Sequence, residues 1–358
     1  MAEESRAWTY TAGYPDTLKL SNISYPHTDE IVKGFGPPRI LVRVHACALN
    51  PVDIQMMNLP SWKLPWNSLY GKEKGTVCDF SGTVMAGGET GFKQGDEVFG
   101  LTLKAFEAAS GASTGGGALG EVADLNMSNC VVARKPKEWS HEKAAAISLV
   151  WLTAKQLIDS VAQYVDGSKN KRVAILGGSS ATGTYSIILA KRKGWKVVTT
   201  SSSKNKDFVT NSLKADEHVD YTTQNTREAV TKFEPDAVID CVGGTECIGI
   251  ASSKRYSTIV GDKTGRTSMG GPYTYYDYLH PYRAAVQWLR WAKGQFGMGE
   301  SYDIVMLGMK QEWLEDATKT LSTDDIYIDS TFAFEDAKQA FERLNTGRAR
   351  GKVVVKTI

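Results

Sequence analysis

The residues with the clearest chemical signal form a turn between a predicted strand and a predicted helix. Gly178, Ser180 and Gly183 occupy the three positions of the G-x-G-x-x-G pattern, with serine at the second. We expect the tight turn at Gly178 and close packing of helix on strand at Gly183. Unpaired N–H groups at the helix start suit a pyrophosphate. We therefore predict dinucleotide contacts from Gly178, Ser180, Ala181, Thr182 and Gly183, with the Ser180 hydroxyl donating to a phosphate oxygen.

The strand after this helix, residues 196–200, ends without the acidic residue that would bind the ribose of NAD. Ser202 and Lys204 follow it instead, and they offer a hydroxyl and a cation to a ribose 2′-phosphate. We therefore predict NADPH as the cofactor. The alternative is that both features are an ordinary glycine-rich turn and an ordinary polar loop.

Composition narrows the class of protein. The chain has 358 residues, 42% of them hydrophobic and 23% charged, which is enough for two globular domains. A net charge of +2 and the lack of a basic stripe argue against nucleic acid binding. We see no apolar run of about 20 residues and no targeting signal, so we expect a cytoplasmic protein without a membrane span. The five scattered cysteines predict reduced thiols.

The order of elements predicts an α/β fold with two domains. The first part of the chain is rich in short strands separated by glycine turns. From about residue 141 helices begin, the first with Ser140 as its N-cap. Strands and helices then alternate, which predicts a doubly wound parallel sheet. Its strands are expected at 172–177, 196–200, 236–240, 256–260 and 302–306.

Several ordered segments resemble the medium-chain dehydrogenase/reductase superfamily, in particular its zinc-independent quinone-reductase-like branch and the related fungal enoyl reductases. These segments are 44–53, 79–84, 91–100, 152–154, the glycine turn, 220–221 and 351–354. The resemblance covers nearly the whole chain. It implies a GroES-like catalytic domain over residues 1–153 and 304–358, and a Rossmann NADPH-binding domain over residues 154–303.

The resemblance also bears on metal binding. It places the zinc ligands of related enzymes at Asn50, at Cys78 and near Leu149. Only Cys78 could bind zinc, with Asp79 as a further carboxylate, whereas a catalytic site needs three protein ligands. We therefore predict no metal. Without a Lewis acid, hydride transfer to an already activated acceptor is the easier chemistry, and an enone, enoyl or quinone group is such an acceptor.

Residues near the reacting groups are also implied by the resemblance. Asn50 is a candidate for contacts to the substrate or the nicotinamide ribose, and Asp53 and Thr153 are weaker candidates. The alternative for residues 50–53 is a purely structural turn, since Asn, Pro and Asp all favour turns. No residue can be assigned as the proton donor.

Four further residues complete the predicted cofactor site. The resemblance implies contacts from Tyr221 and Lys352. Gly243 and Gly244, after the strand at 236–240, would let the backbone approach the ribose and nicotinamide. The alternative for the two glycines is a tight turn.

An aromatic segment, residues 273–282, precedes an amphipathic stretch that contains Trp288 and Trp291. It could contact a membrane surface or an apolar substrate, but we expect burial against the core or a partner subunit. A homodimer is common in the resembling branch.

We thus predict a metal-free NADPH-dependent reductase of an apolar or aromatic enone or quinone, in keeping with the secondary metabolism of fungi. Two alternatives stay open. One is a carbonyl reductase or alcohol dehydrogenase with a residual metal. The other, suggested by Ser180, is a non-catalytic NADPH-binding scaffold.

Overall fold

The computed structural model describes residues 3–33, 38–103, 117–262 and 281–358. The strands are β1 (Glu3–Tyr10), β2 (Lys19–Tyr25), β3 (Arg39–Leu49), β4 (Lys74–Gly75), β5 (Asp79–Ala86), β6 (Glu97–Thr102), β7 (Val122–Asn126), β8 (Cys130–Arg134), β9 (Arg172–Leu176), β10 (Lys196–Ser201), β11 (Glu217–Asp220), β12 (Ala237–Asp240), β13 (Arg255–Thr258), β14 (Ser301–Ile304), β15 (Ile328–Ala333) and β16 (Lys352–Lys356). The helices are α1 (Thr28–Lys33), α2 (Pro51–Met57), α3 (His141–Ala145), α4 (Ser148–Asp166), α5 (Ala181–Arg192), α6 (Thr226–Phe233), α7 (Pro281–Gln295), α8 (Gln311–Thr320) and α9 (Ala337–Asn345).

The described residues fall into two compact units. The first comprises residues 3–149 and 309–358, and the second comprises residues 150–262 and 281–308. The domain boundaries expected at 153/154 and 303/304 stay a prediction. No helix of the described residues is long and apolar enough to cross a membrane.

The larger sheet of the first unit has the strand order β15-β16-β3-β5-β6-β8, and β7 also pairs with β3. Apolar residues of β3, among them Ile40, Val42 and Val44, are fully buried in its core. Against this sheet, α9 packs Ala337, Ala340 and Phe341, whose spacing of three and four residues gives the helix one apolar face. This unit is the predicted GroES-like fold.

The register of three neighbouring strands gathers polar residues at one edge of this sheet. β16 runs antiparallel to β3 with Val353 opposite Leu49, and β3 runs antiparallel to β5 with Ala48 opposite Asp79. The start of β16, the end of β3 and the start of β5 therefore lie side by side. Lys352, the residue before Val353, and Asn50, the residue after Leu49, therefore meet at this edge.

The second unit contains a fully parallel sheet in the order β11-β10-β9-β12-β13-β14. Numbered from its own first strand, this is the order 3-2-1-4-5-6 of a Rossmann fold. The predicted doubly wound sheet is confirmed. In such a sheet the order reverses between β9 and its neighbour β12, and ligands bind beyond the carboxyl ends of the strands at that point.

The helix α7 differs from its prediction. Trp288 is 67% exposed and Trp291 is 43% exposed, so burial of these side chains in the core of the chain is wrong. The physical reason is that α7 turns its polar side, which includes the buried Gln287, towards the protein. Burial against a partner subunit stays a prediction, and residues 273–280 lie outside the described part of the chain.

Candidate functional site

The turn between β9 and α5 brings the helix start close to the strand end. Ser180 is the N-cap of α5, and its Oγ accepts a hydrogen bond of 3.1 Å from the N–H of Gly183. A Cβ at position 183 would overlap the carbonyl oxygen of Gly177, so glycine is required there. The N–H groups of Ala181 and Thr182 have no acceptor among the described residues. The helix start therefore has the free donors that a phosphate group needs.

The tight turn contains Gly178, as predicted, and begins at a second glycine, Gly177. Gly177 has a φ of 81°, in the left-handed region, and a Cβ there would overlap the Val242 side chain. Gly178 does not have a positive φ. Glycine is nevertheless needed at position 178, because a Cβ there would overlap Oγ1 of Thr199 on β10. The predicted turn at Gly178 is confirmed, because the N–H of Ser180 donates to the carbonyl oxygen of Gly177 over 2.9 Å and so encloses Gly178, and a glycine is required at both positions.

The residues predicted to bind the 2′-phosphate follow the end of β10. Ser202 is half-buried and Lys204 is exposed, and Lys204 belongs to a short 3-10 turn, Ser203–Asn205. The Asn205 side chain donates a 3.2 Å hydrogen bond to Oγ of Ser179 in the glycine turn. This bond holds the 3-10 turn next to the start of α5. Ser179 and Asn205 were not predicted, because only the folded turn shows that they meet.

Tyr221 lies beside this turn. It follows β11, whose last residue Asp220 is paired with Ser201, and the N–H of Tyr221 points to the carbonyl oxygen of Ser201 over 3.4 Å. The Tyr221 ring is exposed. The Asp220 carboxylate accepts hydrogen bonds from Thr222, which lower the pKa of Asp220, so this acid is turned to its own loop.

At the end of β12, Gly243 and Gly244 form a turn around a buried acid. Oδ1 of Asp240 accepts hydrogen bonds of 2.9, 2.8 and 3.1 Å from the N–H groups of Val242, Gly243 and Gly244. Its other oxygen accepts a 2.8 Å bond from Thr258. The N–H groups of both glycines are thus occupied, and their carbonyl oxygens accept hydrogen bonds from Thr245 and Tyr256, so the two glycines would contact a cofactor mainly through their Cα atoms. The sequence pattern gave no sign of Asp240.

In the first unit, Asn50, Asp79 and Lys352 form a buried polar cluster at the sheet edge. Oδ2 of Asp79 accepts from Nδ2 of Asn50 over 3.0 Å and from Nζ of Lys352 over 2.9 Å. Nζ of Lys352 also donates to Oδ1 of Asn50. All three residues are at most 2% exposed. We name these residues the 50–79–352 cluster.

Asp53 holds the backbone next to this cluster. Its carboxylate accepts a 2.6 Å hydrogen bond from the N–H of Asn50 and a 3.1 Å bond from the N–H of Cys78. Asp53 is the acid of a capping box at the start of α2, and burial raises its pKa to about 7. The structure therefore gives Asp53 a structural role. Thr153, the third candidate for catalysis, is buried on α4 in the second unit.

The residues at the positions of the zinc ligands do not fit a catalytic zinc site. Asn50 and Leu149 offer neither a thiolate nor an imidazole. Both oxygens of Asp79 are engaged, because the N–H of Leu149 donates to Oδ1 over 2.9 Å. Burial raises the pKa of the Cys78 thiol well above its usual value, which disfavours the thiolate that a metal requires. Among the residues that the structure describes, no group of three potential ligands could hold a metal.

Comparison with known families covers both units. A family described as an alcohol dehydrogenase GroES-like domain matches residues 36–135, and one described as a zinc-binding dehydrogenase matches residues 213–355. A GroES-like unit joined to a Rossmann unit defines a class of nicotinamide-dependent oxidoreductases.

Individual relatives agree with this class. The chain is 29% identical to a trans-enoyl reductase, pgmF, of Aspergillus terreus, over 98% of this chain and 96% of the relative. It is 31% identical to 2-methylene-furan-3-one reductase of Solanum lycopersicum, over 99% of this chain and 80% of the relative. The structure of a quinone oxidoreductase from Coxiella burnetii matches with a TM-score of 0.73 and 24% identity, over 99% of this chain and all of that one. The chain belongs to the medium-chain dehydrogenase/reductase superfamily.

Proposed function

We propose that this protein is an NADPH-dependent reductase that transfers hydride to an activated C=C bond or a quinone without a metal ion. The observation that carries the proposal is the 50–79–352 cluster, which joins a buried ammonium and carboxylate to the amide of Asn50, one of the three positions where the resemblance puts the zinc ligands of related enzymes. Two relatives bear the names of a trans-enoyl reductase and a 2-methylene-furan-3-one reductase, and these names support the same acceptor class.

The second unit offers the groups that would hold the cofactor. The free N–H groups of Ala181 and Thr182 suit the pyrophosphate, and the glycines at 178 and 183 allow the close packing that places these groups. Ser202 and Lys204 would bind the 2′-phosphate. When bound, NADPH supplies the hydride from its nicotinamide ring. The Ser180 Oγ accepts from Gly183 and also lies at hydrogen-bonding distance from the Cys241 thiol, so a phosphate oxygen would take the hydroxyl proton in competition with that sulfur.

The first unit offers few donors for the negative charge that develops on the acceptor oxygen. Both N–H groups of the Asn50 amide are used, by Asp79 over 3.0 Å and by the carbonyl of Ala48 over 3.3 Å. Lys352 uses two of its three protons within the cluster. Lys352 is therefore a better donor to a ligand than Asn50, which retains only an acceptor lone pair. We propose that the third proton of Lys352 serves the acceptor or the nicotinamide ribose.

The test is the oxidation of NADPH and NADH by the purified protein with an enone, a quinone and a simple aldehyde. We expect faster oxidation of NADPH with the enone or the quinone. Equal rates with both cofactors would remove the NADPH assignment. Elemental analysis that finds about one zinc per chain would overturn the metal-free mechanism. Tight NADPH binding without turnover on any acceptor would favour the scaffold alternative.

A pair of lysine variants separates specific recognition from general charge. Lys204→Ala should raise the KM for NADPH and leave the KM for NADH unchanged, because only NADPH carries the 2′-phosphate. Lys206→Ala, two residues further along, is the matched control. If both variants raise the KM for NADPH equally, Lys204 attracts the cofactor only through its positive charge and makes no specific contact with the 2′-phosphate. Cytoplasmic location and a homodimer also remain proposals, to be tested by fractionation and light scattering.

A further inference from the structure

The orientation of α7 is fixed by its packing on β14. Gly294 lies so close to the sheet that a Cβ there would be 2.8 Å from the Cα of Ser301. Arg290 forms a 2.6 Å ion pair with Asp262, and its guanidinium stacks over the Tyr302 ring. Gln287 is buried on the same side. The polar and small residues of α7 thus face the protein.

The opposite side of α7 is apolar and exposed. Leu289 is 61% exposed, and Phe296, just after the helix, is 78% exposed. Tyr282, Val286, Leu289 and Phe296 follow one another at spacings of three, four and seven residues, so they share one face of the helix. An amphipathic helix of a globular protein normally turns this face inwards. We define the α7 outer face as the exposed large apolar residues on this side, Tyr282, Val286, Trp288, Leu289, Phe296 and Met298. Trp291 lies four residues after Gln287 and three before Gly294, so it belongs to the side that faces the protein.

The charged residues of α7 itself have one sign. The helix contains three basic residues and no acidic residue. Lys293 is exposed between Leu289 and Phe296 in the same spacing. Arg290 is paired with Asp262, whereas Lys293 forms no salt bridge with an acid of the described residues.

Glu300, the acid closest to Lys293 along the chain, does not offset the charge of that lysine. Glu300 accepts a 2.7 Å hydrogen bond from the N–H of Gly249, and burial raises the pKa of Glu300. Its carboxylate is therefore turned away from solvent. A second copy of this chain would bring basic residues against basic residues, with no acid on the helix to pair with them. An anionic partner is electrostatically favoured over a second copy.

We propose that the α7 outer face binds the surface of an anionic lipid bilayer. The helix lies in the plane of the interface, with Trp288, Leu289 and Phe296 among the upper acyl chains, and with Lys293 at the lipid phosphates. This binding is independent of the reductase activity proposed above.

The experiment is sedimentation of the full-length protein with vesicles of phosphatidylcholine, with and without one third phosphatidylserine. We expect binding to the anionic vesicles only, and weaker binding as salt is raised, because the lysine contacts are screened. The double variant Trp288→Ser, Leu289→Ser should bind at least about tenfold more weakly, since two inserted apolar groups are lost. Trp66→Ser removes an exposed tryptophan of the first unit and serves as the matched control.

Unchanged thermal unfolding of the double variant shows that its fold is intact. The proposal is overturned if neither vesicle binds the wild type, or if the double variant binds as well as the Trp66 control. A dimer that dissociates in the double variant, without any vesicle binding, would instead assign the face to self-association.

Discussion

At the scale of single residues, the buried charge of Lys352 is important for the stability of the first unit. Lys352→Met leaves the fully buried Asp79 carboxylate without its cation, which we expect to lower the free energy of unfolding by about 3–5 kcal/mol. Replacing both partners, Lys352→Met with Asp79→Asn, should restore much of this loss because no buried charge remains unpaired. Urea unfolding of the three proteins measures the difference.

A second lysine of the same strand provides the control. Lys356 lies on the surface end of β16, half-exposed, and pairs with Glu142. Lys356→Met should change the free energy of unfolding by less than about 1 kcal/mol, since exposed ion pairs contribute little. A Lys352→Met protein as stable as this control would show that Asp79 does not need its ion pair.

The raised pKa of Asp53 predicts a pH dependence of stability. The folded state holds a proton on Asp53 up to about pH 7, whereas the unfolded chain releases it near the ordinary value of 3.8. The unfolded chain therefore binds fewer protons between these pH values, and the free energy of unfolding falls as pH rises from about 4 to about 7. Asp53→Asn removes this titration, so its stability should decline less between about pH 5 and about pH 8.

Other groups titrate in the same range. Burial lowers the pKa of His45 and His141, which makes stability rise with pH, in the opposite direction. Both histidines are present in both proteins, so their effect cancels in the difference between wild type and variant. Asp16→Asn, at an exposed position, is the matched control. Parallel pH profiles for wild type and Asp53→Asn would contradict the prediction.

At the scale of elements, the β9–α5 turn depends on Gly177 for two reasons. An alanine there needs a left-handed φ, which by itself disfavours an L-residue by about 1–2 kcal/mol, and its Cβ would also overlap Val242. Gly194 has a φ of 74° with nothing within 4 Å of its Cβ position, so Gly194→Ala has the conformational penalty alone. We expect Gly177→Ala to destabilise the protein more than Gly194→Ala in urea unfolding. Equal losses would show that Val242 moves aside freely.

The same turn shows what the sequence could and could not predict. Strands β9, β10 and β12 contain short runs of apolar residues followed by turns, so their positions could be predicted from the sequence pattern alone. The positive φ of Gly177 could not be predicted, because alignment with a glycine pattern matches residue types and not backbone angles. β15 was missed since it is a partly exposed edge strand without alternation of apolar residues.

The candidate site also contains one part that the sequence could predict and one part that it could not. The glycine turn between β9 and α5 is local in sequence, so its pattern could predict it. The 50–79–352 cluster joins Lys352 to Asn50, 302 residues away, through the pairing of β16 with β3. Asn50 and Lys352 could be named from the resemblance to a family. Their mutual hydrogen bonds, and the use of Asp53 as a backbone anchor, depend on a register that no local pattern encodes.

At the scale of the whole molecule, cofactor preference should appear as stability. A ligand that binds only the folded state raises the free energy of unfolding by about 2.7 kcal/mol at one hundred times its Kd. If Ser202 and Lys204 bind the 2′-phosphate, NADPH should stabilise the protein more than NADH at equal concentration. Trp195 is buried in the second unit and donates a 2.7 Å hydrogen bond to Asp166, so its fluorescence reports on the unit that would bind the cofactor. The variant Ser202→Ala, Lys204→Ala should lose the extra stabilisation by NADPH and keep that by NADH, and equal stabilisation of the wild type by both cofactors would contradict the assignment.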